Sequence, residues 1–248
     1  MATCNCLWFP PPIKLTLAED EVHVWRAALD LPSAQVQYLR DILTADELSR
    51  ADRFHFEKGQ RHFIVGRGIL RTILGRYLSV APGHLRFCYN HHGKPFLTSE
   101  FDHHKLNFNL SHSNGLALYA IARGREIGID LERIRTNFEH EKIAERFFSP
   151  REVATLHTIP AEIKAEAFFN CWTRKEAYIK AQGEGLSLPL HSFDVSYTPG
   201  EPARLLATRD DPQEASRWAL QELMLGDGYV GALAVKGCDW QYKCWQWT

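Results

Sequence analysis

The hydrophobic pattern of the first half of the chain predicts one long helix among short strands. Val22 and Val24 alternate with polar neighbours from Glu21 to Trp25, which is the two-residue period of a half-buried strand. Apolar residues recur at helical spacing from Arg61 to Leu78, and Thr44 opens a capped helix that reaches Arg50. Further strand patterns cover Leu85 to Tyr89, Leu106 to Leu110, Leu116 to Ala122 and Ile127 to Glu132.

The second half repeats this order of elements. It begins with helical material, including a long helix from about Ala161 to Gln182, after a polar and irregular segment at 133–141. Strand patterns then cover Phe193 to Tyr197, Arg217 to Leu225, Tyr229 to Lys236 and Trp240 to Trp247. We predict an α+β fold of two similar lobes, 1–132 and 133–248, each an antiparallel sheet packed with a long helix. A ligand cleft is expected at their junction.

Composition and charge exclude several classes of partner. The 248 residues are 45% hydrophobic, which is enough for a large core, and the net charge of -1 provides no field that would hold nucleic acid. The N-terminus lacks a basic and apolar leader, and no run of about 18 apolar residues is present. The six cysteines form neither a C-x-x-C pair nor a dense scaffold. We therefore expect a cytoplasmic protein with free thiols that binds neither nucleic acid nor a membrane.

Two acidic residues share one face of the strand at IGIDLE. Strand alternation places Asp130 and Glu132 on the same face, with Gly128 beside them and three aliphatic side chains on the opposite face. Both carboxylates can reach one hard cation, and Gly128 leaves the approach open. A solvated strand face explains the same pattern equally well.

Two charged residues interrupt the apolar stripe of the long C-terminal helix. Lys175 and Glu176 follow Trp172 at helical spacing. A buried charge needs a partner, a metal or a phosphate, or a place at the rim of a cleft. The alternative is that Glu176 pairs with Lys180 one turn later, at a rim location.

Candidate anion-binding residues occur in the first half. Ser111 and His112 lie in a polar turn without a nucleophile elbow, so we expect them to donate to a phosphate and not to act as a hydrolase pair. Basic residues exceed acidic ones by five between Arg50 and Arg76, which suits a multiply phosphorylated small molecule or a solvated helix face. The paired histidines lack the ligand spacing of a zinc site.

Five motifs in order resemble those of the Sfp-like 4'-phosphopantetheinyl transferases. They are GKP at 93–95, NLSHS at 109–113, GIDLE at 128–132, FFSPRE at 147–152 and FFNCWTRKEAYIKAQGEGLSLPL at 168–190. The resemblance covers roughly residues 50–195, and the combination W-x-x-K-E-A-x-x-K with an upstream G-I-D-L-E is specific. It implies a two-lobed pseudo-dimer with coenzyme A and Mg2+ in the cleft.

The resemblance also implies roles for individual residues. Asp130, Glu132 and Glu176 would hold Mg2+, or Mn2+ as a substitute, and Glu176 would take the proton from a carrier serine directly or through water. Lys175 and Lys180 would touch phosphate oxygens and assist the leaving group as further catalytic residues. The coenzyme A contacts implied are Arg61, Lys94, Ser111, His112, Lys175 and Lys180.

The activity implied is that of a holo-[acyl-carrier-protein] synthase. It moves the phosphopantetheine arm of coenzyme A to a serine of an apo acyl or peptidyl carrier protein and releases adenosine 3',5'-bisphosphate. The carrier would belong to a fatty acid, polyketide or nonribosomal peptide synthase, and it would dock on basic surface near the cleft of a monomer. Two alternatives are a catalytically silent module that binds coenzyme A or a nucleotide, and a Mg2+-dependent phosphodiesterase or nucleotidyl transferase.

Overall fold

A computed structural model describes residues 7–183 and 185–248. Within these residues no helix is long and apolar enough to cross a membrane. Helices α1 to α6 span Ser33–Asp41, Ala45–Ala51, Glu57–Leu78, His140–Phe147, Pro150–Thr158 and Ala161–Gln182. Strands β1 to β11 span Glu21–Ala28, Phe87–Tyr89, Pro95–Leu97, Leu106–Ser113, Leu116–Arg123, Ile127–Arg133, Phe193–Val195, Leu205–Thr208, Trp218–Glu222, Tyr229–Lys236 and Gln241–Gln246.

Two main sheets form the centre of the molecule. The first has the strand order β11-β1-β5-β4, and the second has the order β6-β10-β9. All neighbours in these sheets are antiparallel except β1 and β11, which pair in parallel from Glu21 with Gln241 to Arg26 with Gln246. The expected antiparallel sheets are therefore confirmed apart from this pair. The parallel pair forms because the last strand of the chain returns to the edge of the first.

The layers run helix, sheet, sheet, helix. Helix α3 packs on the outer face of the first sheet, in a core that contains Trp25, Ile69 and Tyr119. Helix α6 packs on the outer face of the second sheet, in a core around Phe168. A third core lies between the two sheets. There the aliphatic face of β6, which includes Ile129, packs against that of β5. The α+β class predicted from the sequence is confirmed.

The predicted lobe boundary at 132/133 does not follow the sheets. Strand β6, which we assigned to the first lobe, hydrogen-bonds to β10 in the second sheet. Strand β11, which we assigned to the second lobe, completes the first sheet. Strands pair through contacts between residues that are distant in sequence. A boundary placed at a polar segment therefore does not show which strands share a sheet. The division 1–132 and 133–248 stays a prediction.

Helix α6 lies directly on the backbone of β6 at Gly128. A Cβ atom at this position would lie 2.0 Å from the carbonyl oxygen of Ala177 and 2.4 Å from the amide nitrogen of Ala181. Only glycine permits this approach, since any side chain would push the helix off the strand. The strand pattern predicts that this space is open to a cation. The structure fills it with α6, and thereby brings the charged residues of the helix beside Asp130 and Glu132.

One of the four described cysteines departs from the expectation of free thiols, and Cys4 and Cys6 lie outside the described residues. Cys88, Cys171 and Cys238 are free, and Cys171 is buried in the core around α6. Cys244 in β11 is disulfide-bonded, so the expectation is wrong at that position.

A buried histidine beneath the β1–β11 pair predicts a pH-dependent stability. His23 shares a hydrogen bond with the Tyr77 hydroxyl, lies 3.5 Å from Glu21, and is also near Lys243. Burial lowers the pKa of His23 from 6.5 to about 4. Between these values the unfolded chain binds more protons, so the free energy of unfolding falls as the pH is lowered through this window, by at most about 3 kcal/mol.

We expect a His23→Gln variant to lose this part of the acid sensitivity, because glutamine stays neutral. Urea unfolding at a series of pH values checks the prediction. The exposed His55 provides the matched control, and His55→Gln should leave the pH profile of stability unchanged. Parallel profiles for wild type and His23→Gln would contradict the prediction.

Candidate active site

Strands β4 and β6 lie side by side where the two sheets meet, and polar side chains join them. The Ser111 hydroxyl donates to Asp130 Oδ1 at 2.7 Å, and the Ser113 hydroxyl donates to Glu132 Oε2 at 2.9 Å. The Asn109 side-chain oxygen accepts from the Ile129 amide at 2.8 Å. Every second residue of β4 from Asn109 to Ser113 thus forms a hydrogen bond with β6. The two carboxylates of β6 are fixed in direction by these serines.

Helix α6 adds two charged side chains to this junction. Lys180 Nζ lies 2.6 Å from Asp130 Oδ1 and donates to the Ser111 hydroxyl at 3.1 Å. Glu176, one turn earlier on the helix, lines the same cleft as Asp130 and Glu132. The alternative of a pair between Glu176 and Lys180 is wrong as the main contact, because the ammonium group of Lys180 reaches the buried Asp130 instead.

The acidic cluster carries more negative charge than its surroundings neutralise. Burial raises the pKa of Glu176, and the nearby Asp130 raises it further. Burial also raises the pKa of Glu132, against the effect of the Ser113 hydrogen bond. Asp130 is 4% exposed, and its Oδ2 atom is buried without a hydrogen-bond partner. Such a cluster gains stability from a further cation.

The donor set fits a hard divalent cation. The carboxylates of Asp130, Glu132 and Glu176, of which Asp130 has an unpartnered buried oxygen, are the kind of ligand that Mg2+ prefers, in a site that leaves room for substrate phosphates. Over the residues that the structure describes, no group of three or more His, Cys, Asp and Glu side chains is arranged so that it could hold a metal ion. The protein therefore offers part of a coordination shell, as expected where a bound phosphate supplies the rest.

A cleft of about 600 Å³ opens from the acidic cluster. Cationic and aromatic side chains, including Arg67, form a further part of its wall. Arg67 donates to the Tyr89 hydroxyl at 3.0 Å and stacks near Phe87, and its Nη1 atom is buried without a partner. Arg50 lies over the ring of Tyr89. Arg67 Nε also lies 3.5 Å from Glu47 Oε1, so Arg67 keeps one unpartnered guanidinium nitrogen beside the cleft, which suits a phosphate oxygen.

Two further predicted residues line the cleft in different ways. Burial and the charge of Lys180 lower the pKa of His112, which faces the cavity. Lys94 also borders the cavity, but its ammonium group donates to the carbonyls of Lys180 at 2.5 Å and Ala181 at 3.2 Å. Burial lowers the pKa of Lys94 to about 8. The side chain of Lys94 thus holds the end of α6 in this structure, and its contact with a nucleotide stays a prediction.

The structure does not bring Lys175 and Arg61 to the cleft. Lys175 is completely buried on the far side of α6, where it pairs with Glu152. Arg61 donates to the carbonyl of Leu31 and is absent from the cavity wall. Successive helical residues point about 100° apart, so Lys175 faces away when Glu176 faces the cleft. The burial of Lys175 rules out its expected contact with the ligand, whereas the contact expected of Arg61 stays a prediction that the structure does not support.

Sequence reasoning missed Arg50, Arg67, Tyr89 and Ser113 as individual site residues. A signal for Arg67 was present, since it interrupts the apolar stripe of α3 four residues after Phe63. The same argument had singled out Lys175 on α6. Tyr89 and Ser113 carried no comparable signal, because their roles depend on side chains distant in sequence.

Comparison with known proteins agrees with this geometry. Residues 126–234 match the family model described as the 4'-phosphopantetheinyl transferase superfamily, and residues 30–123 match the model of a 4'-phosphopantetheinyl transferase N-terminal region. The chain is 48% identical to the 4'-phosphopantetheinyl transferase HetI of Nostoc over 97% of its own length and 98% of that protein. The chain belongs to the 4'-phosphopantetheinyl transferase superfamily.

Other members of the superfamily are more distant. The 4'-phosphopantetheinyl transferase Sfp of Bacillus subtilis is 31% identical over 67% of this chain and 73% of its own length. Among solved structures, the holo-[acyl-carrier-protein] synthase of Thermotoga maritima matches 45% of this chain and 62% of its own at 23% identity, with a TM-score of 0.36. The resemblance to the Sfp-like transferases is confirmed by the full-length match and the two family models.

Proposed function

We propose that this chain transfers the 4'-phosphopantetheine moiety of coenzyme A to a serine of an apo carrier protein, in a Mg2+-dependent reaction that releases adenosine 3',5'-bisphosphate. One observation carries the proposal. In this member of the superfamily, one cleft is lined by the acidic cluster of Asp130, Glu132 and Glu176 and by Arg67, whose Nη1 atom is buried without a partner. The acids suit a metal and a proton acceptor, and the cationic wall suits the phosphates of coenzyme A.

Asp130, Glu132 and Glu176 would hold the magnesium ion. When bound, Mg2+ supplies positive charge to the pyrophosphate oxygens of coenzyme A. The chain's own contribution is to orient these carboxylates through Ser111 and Ser113. Lys180 adds a fixed positive charge beside Asp130.

Glu176 is the proton acceptor in this proposal. Its raised pKa makes it a stronger base than an exposed glutamate. It takes the proton of the carrier serine, whose oxygen forms a bond to the β-phosphorus of coenzyme A. The bond from that phosphorus to the bridging oxygen breaks, and the electron pair leaves with adenosine 3',5'-bisphosphate. Lys180 stabilises the negative charge that develops on the phosphate oxygens.

We expect Arg67, and not Arg61, to hold a phosphate of coenzyme A. Replacing Arg67 with glutamine should weaken coenzyme A binding by about tenfold or more, because a charge-assisted hydrogen bond is worth roughly 1.5 to 3 kcal/mol. Isothermal titration measures the affinity, and a thermal melt shows that the variant is folded. Arg61→Gln is the matched control on the same helix and should bind normally. Equal losses in both variants would contradict the assignment.

The acceptor is proposed to be a carrier protein or carrier domain of a fatty acid, polyketide or nonribosomal peptide synthase. The relatives are named as phosphopantetheinyl transferases, which supports a carrier serine as the acceptor. We also propose that the enzyme works as a monomer in the cytoplasm. The monomer is supported by the lining of the cleft, which α2, α3, β2, β4, β6 and α6 of one chain supply together.

Intact mass spectrometry tests the proposed function. The protein is incubated with coenzyme A, Mg2+ and a panel of apo carrier proteins, each with a matched variant whose acceptor serine is alanine. We expect a Mg2+-dependent gain of about 340 Da, the mass of one phosphopantetheine arm, on the serine-containing carrier only. Coenzyme A binding without any transfer would instead support the silent module. Hydrolysis of coenzyme A without transfer would support the phosphodiesterase.

A further inference from the structure

Lys175 precedes Glu176 in the chain but lies in a different environment. Glu176 lines the cleft, whereas the side chain of Lys175 is 0% exposed and points into the core between α6, α5 and β7. The ammonium group lies 4.3 Å from the centre of the Phe193 ring. A lysine on this side of the helix cannot touch a ligand in the cleft.

Three oxygen atoms surround the buried ammonium group. It donates to the carbonyls of Leu190 at 2.7 Å and Phe193 at 2.6 Å, and it forms an ion pair with Glu152 Oε2 at 2.8 Å. An ammonium group has three N–H donors, so all of them are satisfied. The contacts tie the middle of α6 to the segment from Leu190 to Phe193.

Glu152 extends this connection to a second helix and a strand. Its Oε2 atom accepts from the Ser149 amide at 2.9 Å, within the capping box that begins α5. Its Oε1 atom accepts from the Val195 amide at 2.9 Å in β7. Glu152 is 2% exposed, so both carboxylate oxygens are bound inside the protein. Lys175 and Glu152 therefore join α5, α6 and β7 at one point.

We propose that Lys175 is a positioning residue that acts through Glu152 to orient Glu176 toward the cleft. The effect of Lys175 on catalysis rests on the proposed function. Because Lys175 and Glu176 are adjacent on one rigid helix, fixing the direction of the first sets the direction of the second. Lys175 thus contributes to the reaction without contact with coenzyme A. Its role differs from that of Lys180, which faces the cleft on the same helix.

A double-mutant cycle tests the proposal with Lys175→Met, Glu152→Gln and the variant that carries both. We expect each single variant to lower kcat by about tenfold or more, with the KM for coenzyme A changed by less than about twofold, as for a misplaced catalytic group. The double variant should resemble the single variants, because residues that act as a unit are not additive. It also removes both buried charges together, which favours folding over the loss of one partner.

Lys164→Met is the matched control, since Lys164 pairs with Glu141 near the surface of the same helix. It should leave kcat unchanged. A loss of activity in Lys175→Met with normal activity in Glu152→Gln would overturn the proposal, because Lys175 would then act on the substrate directly. Unchanged kcat in the double variant would also overturn it.

A second measurement separates positioning from a loss of folded protein and does not depend on transfer. Crystal structures of wild type and of the folded double variant locate the Glu176 carboxylate relative to Asp130 and Glu132. We expect this carboxylate to lie farther from Asp130 and Glu132 in the double variant, because α6 is no longer tied to α5 and β7. An unchanged position of Glu176 would show a merely structural role and overturn the proposal. Wild-type protein that transfers nothing would refute the proposed function alone, since the two crystal structures still test the positioning.

Discussion

Replacing Glu176 with glutamine should lower turnover by about a hundred- to ten-thousand-fold, the usual contribution of a general base. Glutamine keeps the shape of the side chain but cannot accept the serine proton. Coenzyme A binding should change much less, because Arg67 and Arg50 also line the cleft and are unchanged in this variant. Transfer measured by intact mass gives the rate, and isothermal titration gives the affinity.

The matched control is Glu162→Gln, an exposed glutamate in the first turn of the same helix. It should transfer normally. The raised pKa of Glu176 also sets the direction of the pH dependence. The base works only when deprotonated, so the rate should fall as the pH is lowered through the pKa of Glu176. Near-normal turnover of Glu176→Gln would remove this residue from the role of base.

Replacing Asp130 with asparagine should lower transfer by about a hundredfold or more, the typical effect of removing one electrostatic group at a site of developing charge. Asparagine keeps an acceptor for the Ser111 hydroxyl but loses the charge that pairs with Lys180 and the unpartnered oxygen. The Mg2+ concentration needed for half-maximal transfer should rise. A Mg2+ titration of the transfer rate checks both effects.

The exposed Asp102 provides the control for this change, and Asp102→Asn should keep the wild-type Mg2+ dependence. A thermal melt is needed beside the titration, because removing one partner of the buried pair with Lys180 also lowers stability. If folded Asp130→Asn responds to Mg2+ as wild type does, Asp130 does not belong to the metal shell.

Lys175 and Lys180 show that residues of one sequence motif can have different roles in the structure. Both lysines belong to the W-x-x-K-E-A-x-x-K pattern of this family, and both were expected at the phosphates. Lys180 lies in the cleft beside Asp130, while Lys175 is enclosed by Glu152 and two carbonyls. Of the two lysines in the pattern, Lys180 therefore faces the cleft and Lys175 faces the core.

Several elements were predictable from local sequence alone. The helix predicted from about Ala161 to Gln182 occurs with those bounds, and the strand Tyr229–Lys236 does as well. Both follow from periodicity within one segment, which needs no knowledge of the partner. The same holds for Asp130 and Glu132, whose shared strand face follows from alternation. The motifs then identified the family, because their order and spacing are specific.

Only the tertiary structure decided which charged side chains reach the cleft. Arg67 and Arg61 are both arginines of one helix, yet Arg67 meets Tyr89 on the cleft wall while Arg61 meets the carbonyl of Leu31. The parallel return of β11 to β1 joins residues more than 200 positions apart. Periodicity reports which face of an element is apolar, but the partner of a buried charge depends on where other elements bring their oxygen atoms. That placement arises only when the sheets and helices pack together.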